Sequence, residues 1–280
     1  MQIFEDILST QKRLLELRSK GHTIGFVPTM GALHKGHISL VERAKKENSI
    51  TVASIFVNPT QFNDKGDYTK YPRTLESDLK MLNGAGCDIV FTPSEKEIYP
   101  NPDTRTFDFG EMGNVMEGKH RPGHFNGVAI VVSKLLDIIK PDKLYLGQKD
   151  FQQVAIIKEL IKQLHLPIAV ISCPTLREQN GLAMSSRNTR LIGTQREKAG
   201  IIYETLCGIK EKAASVNAED LISWGKKNIE GVIGFNVEYI DIVCANTLKT
   251  VNAMSDCDEV VVCAAVKTGE VRLIDNLQIK

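Results

Sequence analysis

A chain of 280 residues exceeds what one hydrophobic core usually covers, so a large domain with a smaller companion is expected. Hydrophobic residues at 42% and charged residues at 25% are the balance of a soluble globular protein. The 35 Lys and Arg against 34 Asp and Glu leave a net charge of +1, which excludes a global basic field for nucleic acid but not a local phosphate site.

Taken in chain order, the first half alternates strand and helix patterns. The opening Met-Gln-Ile-Phe-Glu-Asp lacks a basic stretch followed by an apolar run and is not read as a signal peptide. Thr23 to Pro28 predicts a strand, Ile38 to Lys46 a helix, Thr51 to Val57 a strand, Thr74 to Leu82 a helix and Asp88 to Phe91 a strand. Asn126 to Ile139 predicts a helix stopped before Pro141. Leu144 to Leu146 (strand), Phe151 to Leu164 (helix) and Ile168 to Ser172 (strand) follow. Apolar strands separated by helices predict an α/β, Rossmann-like parallel sheet, whose ligands sit beyond the carboxyl ends of the strands.

After Cys173 the pattern changes. A polar loop, Arg177 to Asn188, leads to helical stretches at Gln195 to Ala214 and Ala218 to Ile229. Strand patterns follow at Val237 to Val243, Glu259 to Val266 and Glu270 to Ile274, the last two joined by a Lys267-Thr268-Gly269 turn. The expected division is a Rossmann-like domain over 1–175 and a smaller α+β domain over 176–280. The longest apolar runs, such as Val128 to Val132 and Val260 to Val266, are strand-sized, so no membrane span is expected. The six cysteines (Cys87, Cys173, Cys207, Cys244, Cys257 and Cys263) form no Cys-x-x-Cys, which predicts free thiols in a reducing cytoplasm and argues against zinc.

Four segments carry chemistry. Pro28-Thr29-Met30-Gly31-Ala32-Leu33-His34-Lys35-Gly36-His37 follows the first strand pattern and opens a helix, where unpaired N–H groups and the positive dipole end suit phosphate. Gly31 allows the turn and Gly36 leaves room for a nucleotide against the backbone. His34 and His37, three apart, share a helical face and can donate to phosphate oxygens as charge builds. A zinc reading fits poorly, because helical pairs are usually spaced four apart around a Glu. Met184-Ser185-Ser186-Arg187-Asn188 offers two hydroxyls and a guanidinium as an anion clamp, against the plainer reading of a polar loop. In Gly147-Gln148-Lys149-Asp150-Phe151-Gln152-Gln153, Lys149 supplies a point charge. Asp150 either accepts from a ribose hydroxyl or caps the helix, and Gln153 faces the same mouth. Phe56-Val57-Asn58-Pro59-Thr60-Gln61-Phe62 places amides at the end of the second predicted strand, suited to a hydroxy acid. Asp78 is a candidate magnesium partner, with a solvated helix face as the alternative.

Together these segments resemble the pantothenate synthetase (pantoate–β-alanine ligase) family of the nucleotidylyltransferase superfamily. The resemblance extends through Tyr71-Pro72-Arg73-Thr74, Arg121-Pro122-Gly123-His124-Phe125, Arg177 to Asn188 and Arg272-Leu273-Ile274-Asp275-Asn276. Gln148 stands where Glu is frequent, and Gln179-Asn180 where Ala-Asp is common. The resemblance implies a homodimeric ligase that uses ATP and Mg2+, with pantoate and β-alanine as small-molecule partners. ATP is then expected against Met30, Gly31, Ala32, Leu33, His34, Lys35, Gly36, His37, Gly147, Gln148, Lys149, Asp150, Leu176, Met184, Ser185, Ser186 and Arg187. Pantoate is expected at Gln61, Gln153 and Met30, β-alanine at Gln61, and catalysis from His37, His34, Lys149, Ser185, Ser186 and Arg187. Two rivals remain: a nucleotidylyltransferase that stops at an adenylylated product, and an ATP-sensing binding module. A dinucleotide oxidoreductase is disfavoured, since no Gly-x-Gly-x-x-Gly follows the first strand.

Overall fold

The computed structural model describes residues 1–63 and 65–280. Contacts divide the chain into two units: Met1–Phe109, Gly118–Gln148 and Gln153–Pro174 form the first, and Gly110–Glu117, Lys149–Gln152 and Thr175–Lys280 the second. Two short segments that precede residue 175 therefore group with the C-terminal residues, which a single cut after residue 175 does not capture.

The first unit contains β1 (Gln2–Phe4), α1 (Ile7–Ser19), β2 (Ile24–Thr29), α2 (Lys35–Glu47), β3 (Ile50–Ile55), α3 (Lys65–Lys70), α4 (Leu75–Gly84), β4 (Ile89–Phe91) and α5 (Glu95–Ile98). After α6 (Met116–His120) come α7 (His124–Ile139), β5 (Lys143–Gly147), α8 (Phe151–Gln163) and β6 (Ala169–Cys173). Six parallel strands run in the order β1-β4-β3-β2-β5-β6. This is the expected Rossmann-like α/β sheet. The period-2 alternation of its strands splits their side chains between two cores. Phe26, Val52, Ile89, Phe91, Leu144 and Leu146 face a core closed by α1, α7 and α8. Val27, Ala53, Val90 and Tyr145 face a second core with Leu40, Val41 and Ala44 of α2 and Leu82 of α4. Apolar residues on both faces are what a buried parallel sheet needs.

The second unit carries α9 (Thr194–Lys198), α10 (Ile201–Lys212), α11 (Ala218–Glu230), β7 (Phe235–Cys244), β8 (Val260–Thr268) and β9 (Val271–Gln278). The antiparallel sheet β7-β8-β9 packs Ile240, Ile242, Val260, Val262, Ala264, Val266 and Leu273 against Ile202, Leu206, Ile209 and Leu221 of α10 and α11.

The structure departs from the sequence reading in several places. Strand β1 and helix α1 are additions to it: β1 has three residues, and Leu8 and Leu15 of α1 are exposed, which blurs its apolar stripe. The expected helix over Gln195 to Ala214 is broken into α9 and α10. The Asn180 carbonyl approaches so closely that a Cβ on Gly200 would lie 2.0 Å from it. Asn180 Nδ2 also donates to the Arg196 carbonyl at 2.8 Å, which an aspartate in its place could not do. The β8–β9 turn is centred on Gly269 (φ +55°) and Glu270, not on Lys267–Gly269. The expectation of six free thiols is corrected. Cys244, at the end of β7, and Cys257, just before β8, form a disulfide across a 13-residue separation, because the β7–β8 connection folds back to bring their Cα atoms within 5.7 Å. Cys87, Cys173, Cys207 and Cys263 are thiols. Among the described residues no helix is long and apolar enough to cross a membrane.

Candidate active site

The sheet order reverses at β2, which pairs with β3 on one side and β5 on the other. The crevice beyond the carboxyl ends of two such strands is where open α/β sheets take ligands. The Met30–His37 segment leaves the end of β2, and Gly147-Gln148 leaves the end of β5. Both phosphate-type motifs thus originate at the switch point.

The loop after β2 has an unusual backbone. Gly31 (φ +76°) and Ala32 (φ +49°) are consecutive left-handed residues, the second of a type that rarely adopts this conformation. The turn is fastened from two directions. Thr29 Oγ1 donates to the Ser54 carbonyl at 2.7 Å and accepts from Gly31 N at 3.2 Å. Asp78 accepts from Ala32 N at 2.9 Å and Leu33 N at 2.8 Å. Asp78 is only 1% exposed, so the solvated-face alternative for it is excluded.

His34 is the N-cap of α2. Its Nδ1 accepts from Gly36 N at 3.1 Å, and His37 Nδ1 accepts from His34 N at 3.3 Å. This reciprocal arrangement is a capping box built from two imidazoles. An Nδ1 that accepts a backbone N–H assigns the proton of the neutral ring to Nε2. The rings share one face, with centroids 4.1 Å apart. Both side chains therefore serve the helix end with one nitrogen and carry their donor on the other.

Gln61, in the 3-10 turn Pro59–Gln61 after β3, lies against Met30, with Nε2 3.0 Å from its Sδ. Its Oε1 accepts from Asn58 Nδ2 at 3.2 Å. Buried Asn58 also donates to the Gly127 carbonyl, and its Oδ1 accepts from Tyr99 Oη at 2.8 Å. His124 Nδ1 lies 2.9 Å from the Gln61 carbonyl. A Cβ on Gly127 would stand 2.4 Å from the Thr60 carbonyl oxygen, so α7 and this turn meet backbone to backbone. Half-buried Gln153 lies on α8. Met30, Gln61, Gln153, His34, His37, Gly147, Gln148 and Asp78 all belong to the first unit.

Gly31, Ala32, Leu33, Lys35 and Gly36 belong to the first unit too, whereas Lys149, Asp150, Leu176, Met184, Ser185, Ser186 and Arg187 belong to the second unit. Lys149 Nζ lies 3.6 Å from Asp150 Oδ1, and the Lys149 carbonyl accepts from Asn276 Nδ2 at 2.9 Å. Met184 N donates to the Leu176 carbonyl at 2.9 Å, pairing those two positions and leading directly into Ser185. Ser185 caps the 3-10 turn Ser186–Arg190 by accepting from Arg187 N. The base of this loop is tied down. Arg177 makes a bidentate pair with buried Asp275 (2.6 and 3.0 Å) and stacks 3.6 Å from the Tyr203 ring centroid. Asn188 Nδ2 donates to Glu178 Oε1 at 2.9 Å.

The supporting residues Thr74, Tyr99 and Gly127 go beyond the sequence-based candidates. Each acts on a partner 4, 41 or 66–67 positions away, and only for Thr74, one helical turn from Asp78, could local spacing have signalled the contact.

Comparison with known proteins decides the family. A sequence model described as pantoate-beta-alanine ligase matches residues 2–278. The chain belongs to the pantoate–β-alanine ligase family. Curated pantothenate synthetases of Porphyromonas gingivalis and Bacteroides thetaiotaomicron are each 49% identical, over 99% and 100% of this chain and 99% of theirs. The solved pantothenate synthetase of Thermus thermophilus superposes with a TM-score of 0.93 at 38% identity, covering 100% of this chain and 99% of that one. The pantoate-beta-alanine ligase of Francisella tularensis, solved in complex with beta-gamma ATP and beta-alanine, gives 0.83 at 42% identity, covering 100% and 98%. As a member of this family the chain is a ligase, and the expected fold class is that of the family.

Proposed function

We propose that this ligase activates pantoate with ATP as a pantoyl adenylate and then joins it to β-alanine. A pantoate carboxylate oxygen attacks the α-phosphorus, and the bond to pyrophosphate breaks. The β-alanine amine then attacks the acyl carbon, AMP leaves and the nitrogen gives up a proton. The observation that carries this reading is the imidazole pair at the start of α2, its Nε2 donors set by the cap, in the same unit as the Gln61–Met30 pair. A carboxylate needs no general base to attack, so His34 and His37 act as donors to phosphate oxygens carrying new charge. Lys149, Ser185, Ser186 and Arg187 are assigned contacts with the phosphates. Gln61, Gln153 and Met30 are assigned the pantoate, with Gln61 also touching β-alanine. The Francisella relative's complex supports ATP and β-alanine as ligands of this chain.

Magnesium is part of the expectation, but the residues do not fit a metal held by the protein. Both Asp78 oxygens are aimed at backbone N–H groups, and among the described residues no group of three or more His, Cys, Asp or Glu is placed to hold an ion. Magnesium would instead reach this enzyme on the triphosphate oxygens of ATP, and no step is assigned to it. Homodimeric assembly and a cytoplasmic location belong to the same reading and are carried by the resemblance.

The test is isotope exchange. With ATP, magnesium salt and pantoate, labelled pyrophosphate should enter ATP in the absence of β-alanine, and omitting pantoate should abolish the exchange. Adding β-alanine should give AMP and pantothenate in equal amounts. Pantoate-independent exchange would indicate a nucleotidylyltransferase, and none at all a binding module.

A further inference from the structure

The carboxylate of Asp78 reaches across from α4 to the left-handed turn after β2. It sits one turn into α4, where Asp78 N donates to the Thr74 carbonyl at 2.9 Å. Its two oxygens divide their work. Oδ2 accepts from Ala32 N at 2.9 Å, while Oδ1 accepts from Leu33 N at 2.8 Å and from Thr74 Oγ1 at 3.2 Å. A Cβ on Gly31 would come within 3.0 Å of Oδ2, so the carboxylate and the glycine fit each other. A non-glycine residue at φ +49° is strained, and persists where its surroundings over-determine it. Two charge-assisted hydrogen bonds to the strained residue and its successor supply that.

We propose that Asp78 is a positioning residue for the nucleotide: it anchors the Gly31–Leu33 turn, and through it the N-cap His34, and does not ligate metal. The Ala32 N–H, the Leu33 N–H and the Thr74 hydroxyl take three of the carboxylate's roughly four lone-pair sites, so its two oxygens cannot together chelate a cation unless the turn opens. The geometry also separates the two roles in an Asn variant. An amide can ligate a cation through its oxygen, but as an anchor it fails in either orientation, because one of Ala32 N and Leu33 N then faces an NH2 group.

This inference rests on the ATP-binding reading, and the experiment keeps the two apart. Asp78→Asn and the unaltered enzyme are compared by hydrogen exchange at the Ala32 and Leu33 amides, by ATP binding in EDTA, and by the magnesium concentration giving half-maximal activity. Loss of the anchor should speed exchange at both amides and weaken metal-free ATP binding roughly tenfold or more, leaving the magnesium midpoint unchanged. Native-like ATP binding in EDTA with a shifted magnesium midpoint overturns the proposal. Should Asp78→Asn not fold, Thr74→Val removes only the hydroxyl donor. Faster exchange with weaker metal-free binding then supports the anchor, and no change in either overturns it. If the unaltered enzyme binds no ATP, the functional reading fails, while the exchange of Ala32 and Leu33 still judges the anchor.

Discussion

The side-chain amide of Asn58 donates to Oε1 of Gln61 at 3.2 Å, and this contact sets which end of Gln61 faces outward. Asn58 is itself oriented, because Tyr99 Oη donates to its Oδ1 at 2.8 Å. With its oxygen engaged by Asn58 and one N–H directed at Met30 Sδ, Gln61 keeps a second N–H on Nε2, which suits an oxygen of the proposed pantoate. Tyr99→Phe removes one of the donors that, with Thr60, hold the Asn58 oxygen in place and so loosens the orientation of this amide. We expect KM for pantoate to rise severalfold with KM for ATP unchanged, and Gln61→Ala to act in the same direction at a cost of about 1–3 kcal/mol. Initial-rate kinetics varying each substrate separately would decide it. A rise confined to ATP would reverse the substrate assignment.

His37 holds the helix start with Nδ1 and carries its donor on Nε2, so two substitutions divide its functions. An Asn side chain places its oxygen where Nδ1 stands and has nothing at Nε2. His37→Asn should therefore keep the cap, with stability changed by less than about 0.5 kcal/mol, yet lower the rate of adenylate formation roughly a hundredfold. His37→Gln, whose NH2 reaches further out, should recover part of that rate. Equal activity of the Asn variant and the unaltered enzyme in single-turnover assays would remove His37 from the chemistry.

What can be read from sequence is what is local. The Gly31 turn, the His34/His37 spacing and the strand–helix alternation are encoded within a few residues, so the sheet and the start of α2 are legible. Asp78 lies 45–46 positions from its N–H donors, and its partner groups are backbone atoms without a side-chain signature. Its residue type alone suggests a metal ligand or a solvated face. Gly110–Glu117 and Lys149–Gln152 group with the C-terminal unit through contacts such as Arg272 with Glu117, 155 positions apart, which no periodicity reveals. The Cys244–Cys257 pairing depends on how the β7–β8 connection folds back, and scattered cysteines carry no spacing that encodes it.

That disulfide makes a chemical prediction. Denatured without reductant, the protein should titrate four thiols, Cys87, Cys173, Cys207 and Cys263, and six after reduction. Closing a loop of this length stabilises by about 3 kcal/mol in the chain-entropy account, so a Cys244→Ser, Cys257→Ser double variant should melt at a lower temperature. The C-terminal sheet is remote in sequence from the imidazole pair, and adenylate formation below the melting range should be preserved. Six thiols in the unreduced sample would refute the pairing.

Arg272 of β9 joins two carboxylates within the second unit. Its guanidinium donates bidentately to Glu117 at 2.7 and 2.8 Å, and through Nε to Glu238 Oε2 at 2.7 Å. Lys267 Nζ lies 3.0 Å from Glu238 Oε1, and Tyr239 Oη donates to Glu117 Oε1 at 2.8 Å. The bulge between Val237 and Tyr239 lets consecutive residues of β7 reach the same cluster. Burial pushes the Glu238 carboxyl up, but the hydrogen bonds from Arg272 and Lys267 outweigh it and hold it below its ordinary 4.5. A carboxylate depressed in the folded state contributes stability that is fully present above its unfolded pKa. That stability is lost as the pH falls from about 4.5 through the folded value. Glu238→Gln keeps the shape and removes the titration. Its loss of stability relative to the unaltered protein, read from urea midpoints, should therefore be largest at pH 7 and shrink steadily below about pH 4.5. A difference that stays constant across that range would mean that Glu238 contributes by packing and not by its charge.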